Sequence, residues 1–380
     1  MQICILSPLY PVYSNPHLGI FVHEQAKYLA KNKHKVCVIT LGDSKDKNQE
    51  FIEGVNVYRI KADNFYFKSL LFAFLMVKNL IVLNKKYNFD MIHSHFVGML
   101  TALIGITCKF IKKPFVVTAH GIGLLSDNPL RKILTKFYLS FPAKIVCVSN
   151  YVAKLSARYA DKSKIVVINN GIDPEKLKLI KNISAFKRKF GLKNGKIMLS
   201  VANLVERKGI DIIIRCLPGI IKNYSNLRYF IIGEGPEKEK LSSLVNELEI
   251  QKYVAFIDYV SNADLANFYN ACNIFILVSR TIKEKEGIEG FGIVYIEASY
   301  FGKPVIGGKS GGTADSIVNG VTGYRIEPTN TKELINKVTL LLKNEKLAKK
   351  LGIQGRNRVK NQLLWSHNAE KLTKVYESIL

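Results

Sequence analysis

The chain has 380 residues, 48% of them apolar, which is too long for one ordinary core and too apolar for a disordered chain. Fifty-six Lys and Arg against 30 Asp and Glu give a net charge of +26. The excess is even along the chain, with 25 basic and 11 acidic residues up to position 180 and 31 and 19 beyond it. Such a field suits nucleotides, nucleic acid or an anionic membrane surface, and it equally suits a chain from a Lys-rich proteome.

In chain order, a first series of apolar, β-rich runs covers residues 2–7 (QICILS), 35–40, 90–96, 115–120, 144–149 and 164–170. Helix-length amphipathic stretches such as FVHEQAKYLAKN separate them. A second series starts at KIMLSVAN (196–203) and continues at 227–233, 254–260, 274–279, 304–308 and 323–327. Strand–helix alternation of this kind predicts parallel sheets covered by helices on both faces. The Lys-rich stretch 172–195 separates the series, so the reading is α/β with two doubly wound domains facing across a cleft. The expected bounds are 1–185, 186–360 and a C-terminal amphipathic helix over 361–380 that packs back toward the first domain. Ligands of such sheets bind at the carboxyl ends of the strands.

The six cysteines include no Cys-x-x-Cys pair and sit mostly in apolar runs, which points to reduced, buried thiols rather than a disulfide or zinc framework. The start MQICILSPLY lacks the features of a secretory signal. The most apolar window, residues 69–83, is interrupted by Lys78 and Asn79 and falls short of the roughly 20 residues that span a bilayer. A cytosolic protein, able to touch the inner face of the cell membrane, is expected.

The loops after the second series of strands carry the chemistry. In VANLVERKGID, Arg207 and Lys208 precede a helix start near Gly209, and free N–H groups with adjacent cations outline a diphosphate site or a solvated basic turn. IIGEGPEKEKL places Gly235 in a tight turn with Pro236 at a helix start, which by itself reads more readily as a structural turn than as a binding one. In EGFGIVYIEASYFGKPVIGG, Glu289 and Glu297 flank Gly290, Phe291, Gly292 and Ile293, where the glycines allow close approach to the backbone. Carboxylates are repelled by a diphosphate but accept two hydrogen bonds from a vicinal diol, so the pair fits a nucleotide sugar, one holding the sugar and the other the ribose; the plainer reading is a surface-loop Glu followed by a helix Glu. In GGKSGGTADSIVNG, bare backbone N–H groups of Ser310, Gly311, Gly312 and Thr313 could cradle a phosphate.

In the first half, Gly19 opens the helix after a long first loop, and this loop lacks the Gly-x-Gly-x-x-Gly of dinucleotide enzymes. TAHG puts His120 at the end of a central strand, where catalytic groups gather, although a lone His at a strand end is more often structural. HSH puts His93 and His95 on one strand face, a metal pair only if a third ligand joins them. The chain has no Asp-x-Asp, so no metal and no cofactor is expected; cations and helix ends would neutralise a diphosphate.

These motifs, in this order and spacing, resemble the retaining glycosyltransferases of family four, which have the GT-B architecture of two Rossmann-like domains. The resemblance covers nearly the whole chain. It implies transfer of a hexosyl unit from a UDP- or GDP-sugar to an acceptor hydroxyl, by a front-face route in which the departing phosphate oxygen assists deprotonation of the acceptor. Arg207 and Lys208 would contact the diphosphate, Glu289 the sugar and Glu297 the ribose. The backbone at Gly19 and at Ser310 to Thr313 would face phosphate or sugar. Tyr259 and Val260 would lie by the base, and His120 near the reacting centre. Asn203, Gly235 and the run from Gly290 to Ile293 complete the donor-facing set. Two departures are visible. Ala202 and Asn203 stand where many members have Gly-Arg, and the first loop has one Gly where many have two.

The first domain would take a glycan or lipid-linked acceptor. PHLGIFVHEQAKYLA and SRTIKEKEGIEGFGIV look most like members that build mannose-containing lipids or cell-surface polysaccharides. The segments FYFKSLLFAFLMVKNLIVLNKK and RKILTKFYLSF would either rest on anionic lipid or be ordinary helices with a solvated Lys face. The rival readings are a nucleotide-sugar epimerase of the same fold and a non-enzymatic nucleotide or nucleic-acid binder. Dispersed basic residues and the lack of a nucleic-acid motif argue for no nucleic-acid partner.

Overall fold

The computed structural model describes residues 1–61, 69–179, 184, 186, 188, 190, 195–282 and 287–380. The chain forms two compact units, Met1–Asn170 with Trp365–Leu380, and Gly171–Leu364.

In the first unit the elements run β1 (Gln2–Ser7), α1 (Ile20–Lys31), β2 (Lys35–Gly42), β3 (Gln49–Ile52), β4 (Val55–Lys61), α2 (Ser69–Tyr87), β5 (Met91–His95), α3 (Met99–Phe110), β6 (Phe115–Ala119), α4 (Pro129–Tyr138), β7 (Lys144–Cys147), α5 (Asn150–Ser156) and β8 (Ile165–Val167). The strands form one sheet in the order β3-β4-β2-β1-β5-β6-β7-β8. All described pairs are parallel except β3 with β4. Parallel strands bury both faces, which is why they read as continuous apolar runs; every residue of β5 and β6 is buried.

The hairpin β3–β4 is not visible as an apolar run. Its turn is made by Glu53 and Gly54, both in the left-handed region (φ 47° and 87°), the geometry a two-residue hairpin needs. The helix α2 leaves both readings of its segment open, because it has a buried side and also exposes Leu71, Phe74 and Val82. Ala73, Met76, Leu80 and Leu83 form a buried stripe, so that side of the helix is part of the core, while residues 65–68 of that segment lie outside the described residues.

The second unit runs β9 (Ile197–Val201), α6 (Ile210–Ile221), β10 (Arg228–Ile232), α7 (Lys238–Glu247), β11 (Val254–Ile257), α8 (Asn262–Ala271), β12 (Ile274–Leu277), α9 (Ile293–Tyr300), β13 (Val305–Gly308), α10 (Thr313–Ser316), β14 (Gly323–Ile326), α11 (Thr331–Lys343) and α12 (Glu345–Gln362). Its parallel sheet has the order β11-β10-β9-β12-β13-β14. The order reverses between β9 and β12, so the loops leaving these two strands diverge and leave a crevice at the carboxyl edge. The caps are local and legible. Ser261 accepts from the Asp264 N–H (3.1 Å) at the start of α8, and Asn330 from the Glu333 N–H (2.9 Å) at the start of α11.

The last helix, α13 (Trp365–Glu377), belongs to the first unit. Gln25 on α1 donates to Asn368 (2.9 Å), and His34 pairs with Thr373 (2.9 Å). The units divide at Asn170/Gly171, fifteen residues before the expected bound, and α12 runs past 360. Directly after the division, the Ile172 N–H donates to the Leu363 carbonyl (3.0 Å), so the chain is already held by the segment that leads into α13. Residue 185 itself lies outside the described residues. All six cysteines are free and buried. No described helix is long and apolar enough to cross a membrane.

Candidate active site

The strands β9 and β12 deliver the central side chains to the crevice between them. After β9, residues Glu206–Lys208 form one 3-10 turn that ends at Gly209. Gly209 has φ 66°, and a Cβ there would sit 2.0 Å from the Val278 carbonyl oxygen behind β12. Only glycine lets the Arg207–Lys208 turn lie this close to the neighbouring strand. From the β12 side, the Arg280 N–H donates to the Arg207 carbonyl (2.8 Å), and its guanidinium pairs with Asp211 (2.9 Å) and lies 3.8 Å from Glu206. Sequence reading missed Arg280, which becomes visible only once β12 is known to neighbour β9.

Glu289 is buried, 7% exposed. Its Oε2 accepts from Lys208 Nζ at 2.5 Å and from Ser279 Oγ at 3.2 Å, with Arg207 Nη1 at 3.6 Å. Burial alone pushes this carboxyl up, but the Lys208 and Arg207 charges outweigh it and hold the group below the usual carboxylate range. Burial pulls the Lys208 ammonium down from its ordinary value, with Glu289 opposing. The cluster has two cations for one carboxylate. Arg207 Nη1 is buried without a hydrogen-bond partner, so this corner is short of acceptors.

The turn after β13 closes on the same glutamate. The Gly312 N–H donates to the Glu289 carbonyl (2.7 Å), and Gly311 (φ 53°) would place a Cβ 2.1 Å from that oxygen. This corrects the expected cradle of free N–H groups. Ser310 N–H donates to Gly308, Gly312 to Glu289 and Thr313 to Ser310, so within that turn only the Gly311 N–H is without a hydrogen bond among the described residues. The Ser310 and Thr313 hydroxyls are engaged with Thr281 (3.0 Å) and the Gly308 carbonyl (2.7 Å). Gly290, Phe291 and Gly292 lead into α9, which starts at Ile293; Gly292 (φ 89°) caps it, and Phe291 is buried. The Tyr295 N–H donates to the Gly292 carbonyl (3.2 Å), which leaves the Ile293 and Val294 N–H groups at the start of α9 without a hydrogen bond among the described residues.

Glu297 lies one turn into α9. Its Oε2 accepts from the Tyr269 hydroxyl (2.6 Å), and burial pushes its carboxyl up, against that bond. Asn203, Gly235 and Tyr259 follow β9, β10 and β11 at the same edge of the sheet. Asn203 and Tyr259 are exposed and Val260 is buried. Gly235 packs on Leu204, whose carbonyl oxygen would be 2.4 Å from a Cβ there, so the Gly-x-Gly turn is required by packing in its own right. Residues 283–286 of the run before Glu289 lie outside the described residues.

Gly19 and His120 belong to the first unit. Gly19 (φ 59°) starts α1 against Leu9, whose carbonyl oxygen lies 2.4 Å from the position of a Cβ. His120 follows β6, and its ring rests against Phe21 (4.7 Å), Phe96 (4.8 Å) and His95 (5.3 Å). A third histidine thus joins the pair on β5. The His95 and His120 rings meet edge to edge, Nδ1 to Nε2 at 3.0 Å, and both nitrogens of His93 are taken, by Tyr376 (2.6 Å) and Thr118 (2.7 Å). No group of three His, Cys, Asp or Glu among the described residues is arranged to hold a metal.

Burial pulls His93 down to about 3 and His95 well below the ordinary imidazole value, whereas an unfolded histidine titrates near 6.5. Between these values the unfolded chain binds protons that the folded one does not. The stabilisation is present above about pH 6.5 and falls with pH, by about 1.4 kcal/mol per unit for each histidine. Calorimetry from pH 7.5 to 5 should show the thermal midpoint dropping; a flat profile contradicts a neutral pair.

Two parallel-sheet α/β units with the polar cluster at the carboxyl edge of the second define a GT-B glycosyltransferase. Residues 182–358 match the family described as Glycosyl transferases group 1, and residues 18–176 match Glycosyltransferase Family 4. The chain belongs to these family-four glycosyltransferases. It is 28% identical to an uncharacterized glycosyltransferase of Methanocaldococcus jannaschii, over 99% of this chain and 98% of that protein. It is 26% identical to a GDP-mannose-dependent alpha-(1-6)-phosphatidylinositol monomannoside mannosyltransferase of Mycolicibacterium smegmatis, over 61% of each. In fold it is similar to sucrose-phosphate synthase of Thermosynechococcus elongatus (TM-score 0.82, 21% identity, 100% of this chain and 99% of that one). It is also similar to Anabaena HepE in complex with UDP and glucose (TM-score 0.79, 17% identity, 100% of each).

Proposed function

We propose that the protein transfers a hexosyl unit from a UDP- or GDP-sugar to an acceptor hydroxyl, with retention and without a metal, in polysaccharide or glycolipid synthesis. The observation that carries this is the Lys208–Arg207–Glu289 cluster, a buried corner with surplus positive charge at the point where the strand order reverses. A leaving nucleoside diphosphate gains negative charge, and Lys208, Arg207 and the N-terminus of α9 are placed to stabilise it. On this reading the diphosphate takes over the two cations and frees the Glu289 carboxylate for the sugar. Glu297 takes the ribose, Tyr259 and Val260 border the base, and the first unit takes the acceptor near His120. The relative from Mycolicibacterium supports a mannosyl donor as the first to try.

The test is incubation with UDP-glucose and with GDP-mannose in EDTA, with and without simple sugar acceptors. We expect release of the nucleoside diphosphate from one donor and a product of unchanged anomeric configuration. Conversion of the donor sugar without release of nucleotide would make the protein an epimerase instead.

The proposed place of work is the cytoplasmic face of the cell membrane, on a glycan or lipid-linked acceptor. What supports it is α4. Leu130 (65% exposed), Ile133 (66%), Leu134 and Phe137 (49%) form an apolar stripe that faces solvent, and Thr135 is the one buried residue of the helix. Arg131, Lys132 and Lys136 lie on the same helix, and Asp127 is the only acidic residue between 91 and 160. Aliphatic stripes edged by cations suit anionic bilayers rather than nucleic acid. In flotation with vesicles of phosphatidylglycerol and phosphatidylcholine, the protein should float, and Ile133→Glu with Phe137→Glu should reduce the floated fraction about tenfold. Flotation unchanged by that double substitution removes α4 from the proposal.

A further inference from the structure

The histidine at the end of β5 has an unusual set of neighbours. The ring of His95 lies between His93 (4.9 Å, 27° between planes) and His120 (5.3 Å, 22°). Its Nδ1 is 3.0 Å from His120 Nε2, and its own Nε2 is buried with no partner. One proton must lie between the two bonded nitrogens, and its owner sets both tautomers. If His120 Nε2–H donated, the remaining proton of His95 would sit on its Nε2, a buried N–H with no acceptor. If His95 Nδ1–H donates, only an unused lone pair is left at Nε2. An orphaned buried donor is the rarer and costlier arrangement.

We infer that His95 is a positioning residue that donates its Nδ1–H to His120 Nε2 and thereby places the His120 proton on Nδ1. His120 then meets a ligand as a hydrogen-bond donor, not as a base. The neighbours enforce this. His93 cannot offer an alternative partner, because Tyr376 and Thr118 take both its nitrogens. Phe21 and Phe96 hold the plane of His120. Burial keeps all three rings neutral at neutral pH. A fixed donor of this kind suits a hydroxyl or ring oxygen of a sugar, and it leaves deprotonation of the acceptor to another group. This deepens, and for its catalytic consequence rests on, the transferase reading above.

The test is nitrogen NMR of the full chain with 15N-labelled histidine, the His120 signals being assigned with His120→Gln. We expect His120 to show a protonated Nδ1 and a bare Nε2. His95→Asn keeps an N–H at the Nδ1 position and should preserve both that pattern and donor turnover. His95→Leu removes the donor; it should release the His120 tautomer and lower kcat with UDP-glucose or GDP-mannose about tenfold, the worth of one hydrogen bond, with KM little changed. A protonated His120 Nε2 in the unaltered protein overturns the inference, as does His95→Leu with an unchanged tautomer and turnover. The NMR result stands without substrate, so inactivity toward both donors would count against the transferase reading and not against the tautomer.

Discussion

Lys208→Ala should lower sugar transfer by about 10²–10³-fold in kcat, the cost typical of removing one preorganised group that stabilises developing negative charge. Glu289→Ala should be at least as damaging, since it removes the group proposed to hold the sugar. The two differ in stability. Without Lys208, Glu289 keeps Ser279 at 3.2 Å and Arg207 at 3.6 Å. Without Glu289, a buried ammonium loses its carboxylate, and breaking such a pair costs about 3–5 kcal/mol. Glu289→Gln preserves the shape and the Ser279 contact, and separates loss of charge from loss of fold. Circular dichroism alongside donor turnover checks both. Wild-type turnover in Lys208→Ala with an intact fold would refute the assignment.

Gly209→Ala is expected to have the second largest effect, through the backbone. Its φ of 66° costs a side chain about 1–2 kcal/mol, and the Cβ would meet the Val278 carbonyl oxygen at 2.0 Å. Overpacking of this kind adds about 1–3 kcal/mol, so a loss near 3 kcal/mol is expected. For a unit of this size that is about 6–12 °C in the midpoint of its transition. The same displacement moves Arg207 and Lys208 off Glu289, so activity falls even where the protein remains folded. Gly320 has φ 75° and nothing within 4 Å of a Cβ, so Gly320→Ala controls for backbone conformation without the clash. Equal stability of the two variants would show that the contact with Val278 does not matter.

The strands of both sheets were legible because parallel strands are apolar on both faces, as in QICILS and IFILVS. The hairpin β3–β4 was not, because QEFI and VNVYRIK are mixed in polarity and Glu53–Gly54 is a weak turn signal. Glu289, Lys208 and Arg207 were legible as candidates from their loops, and the structure brings these three together. Ser279, Tyr269 and Arg280 were not, since each earns its place through an element distant in sequence. Ser279 reaches Glu289 ten positions along the chain, and Tyr269 on α8 reaches Glu297 on α9. The Ser310–Thr313 turn was legible as glycine-rich but not in its use, because its N–H groups are spent on its own carbonyls and on Glu289. His93 and His95 were visible as a pair. Their meeting with His120 depends on the β5–β6 register, in which His95 stands opposite Thr118.

The central claim is that the Lys208 corner of the second unit grips a nucleoside diphosphate. Isothermal titration of the whole chain with UDP and with GDP, in EDTA, tests it most directly when repeated on Lys208→Ala. One nucleotide should bind with a stoichiometry near one, and the substitution should weaken it by about tenfold or more, as expected for loss of a charge-assisted contact. Binding of neither nucleotide, or equal affinity in both proteins, would contradict the account.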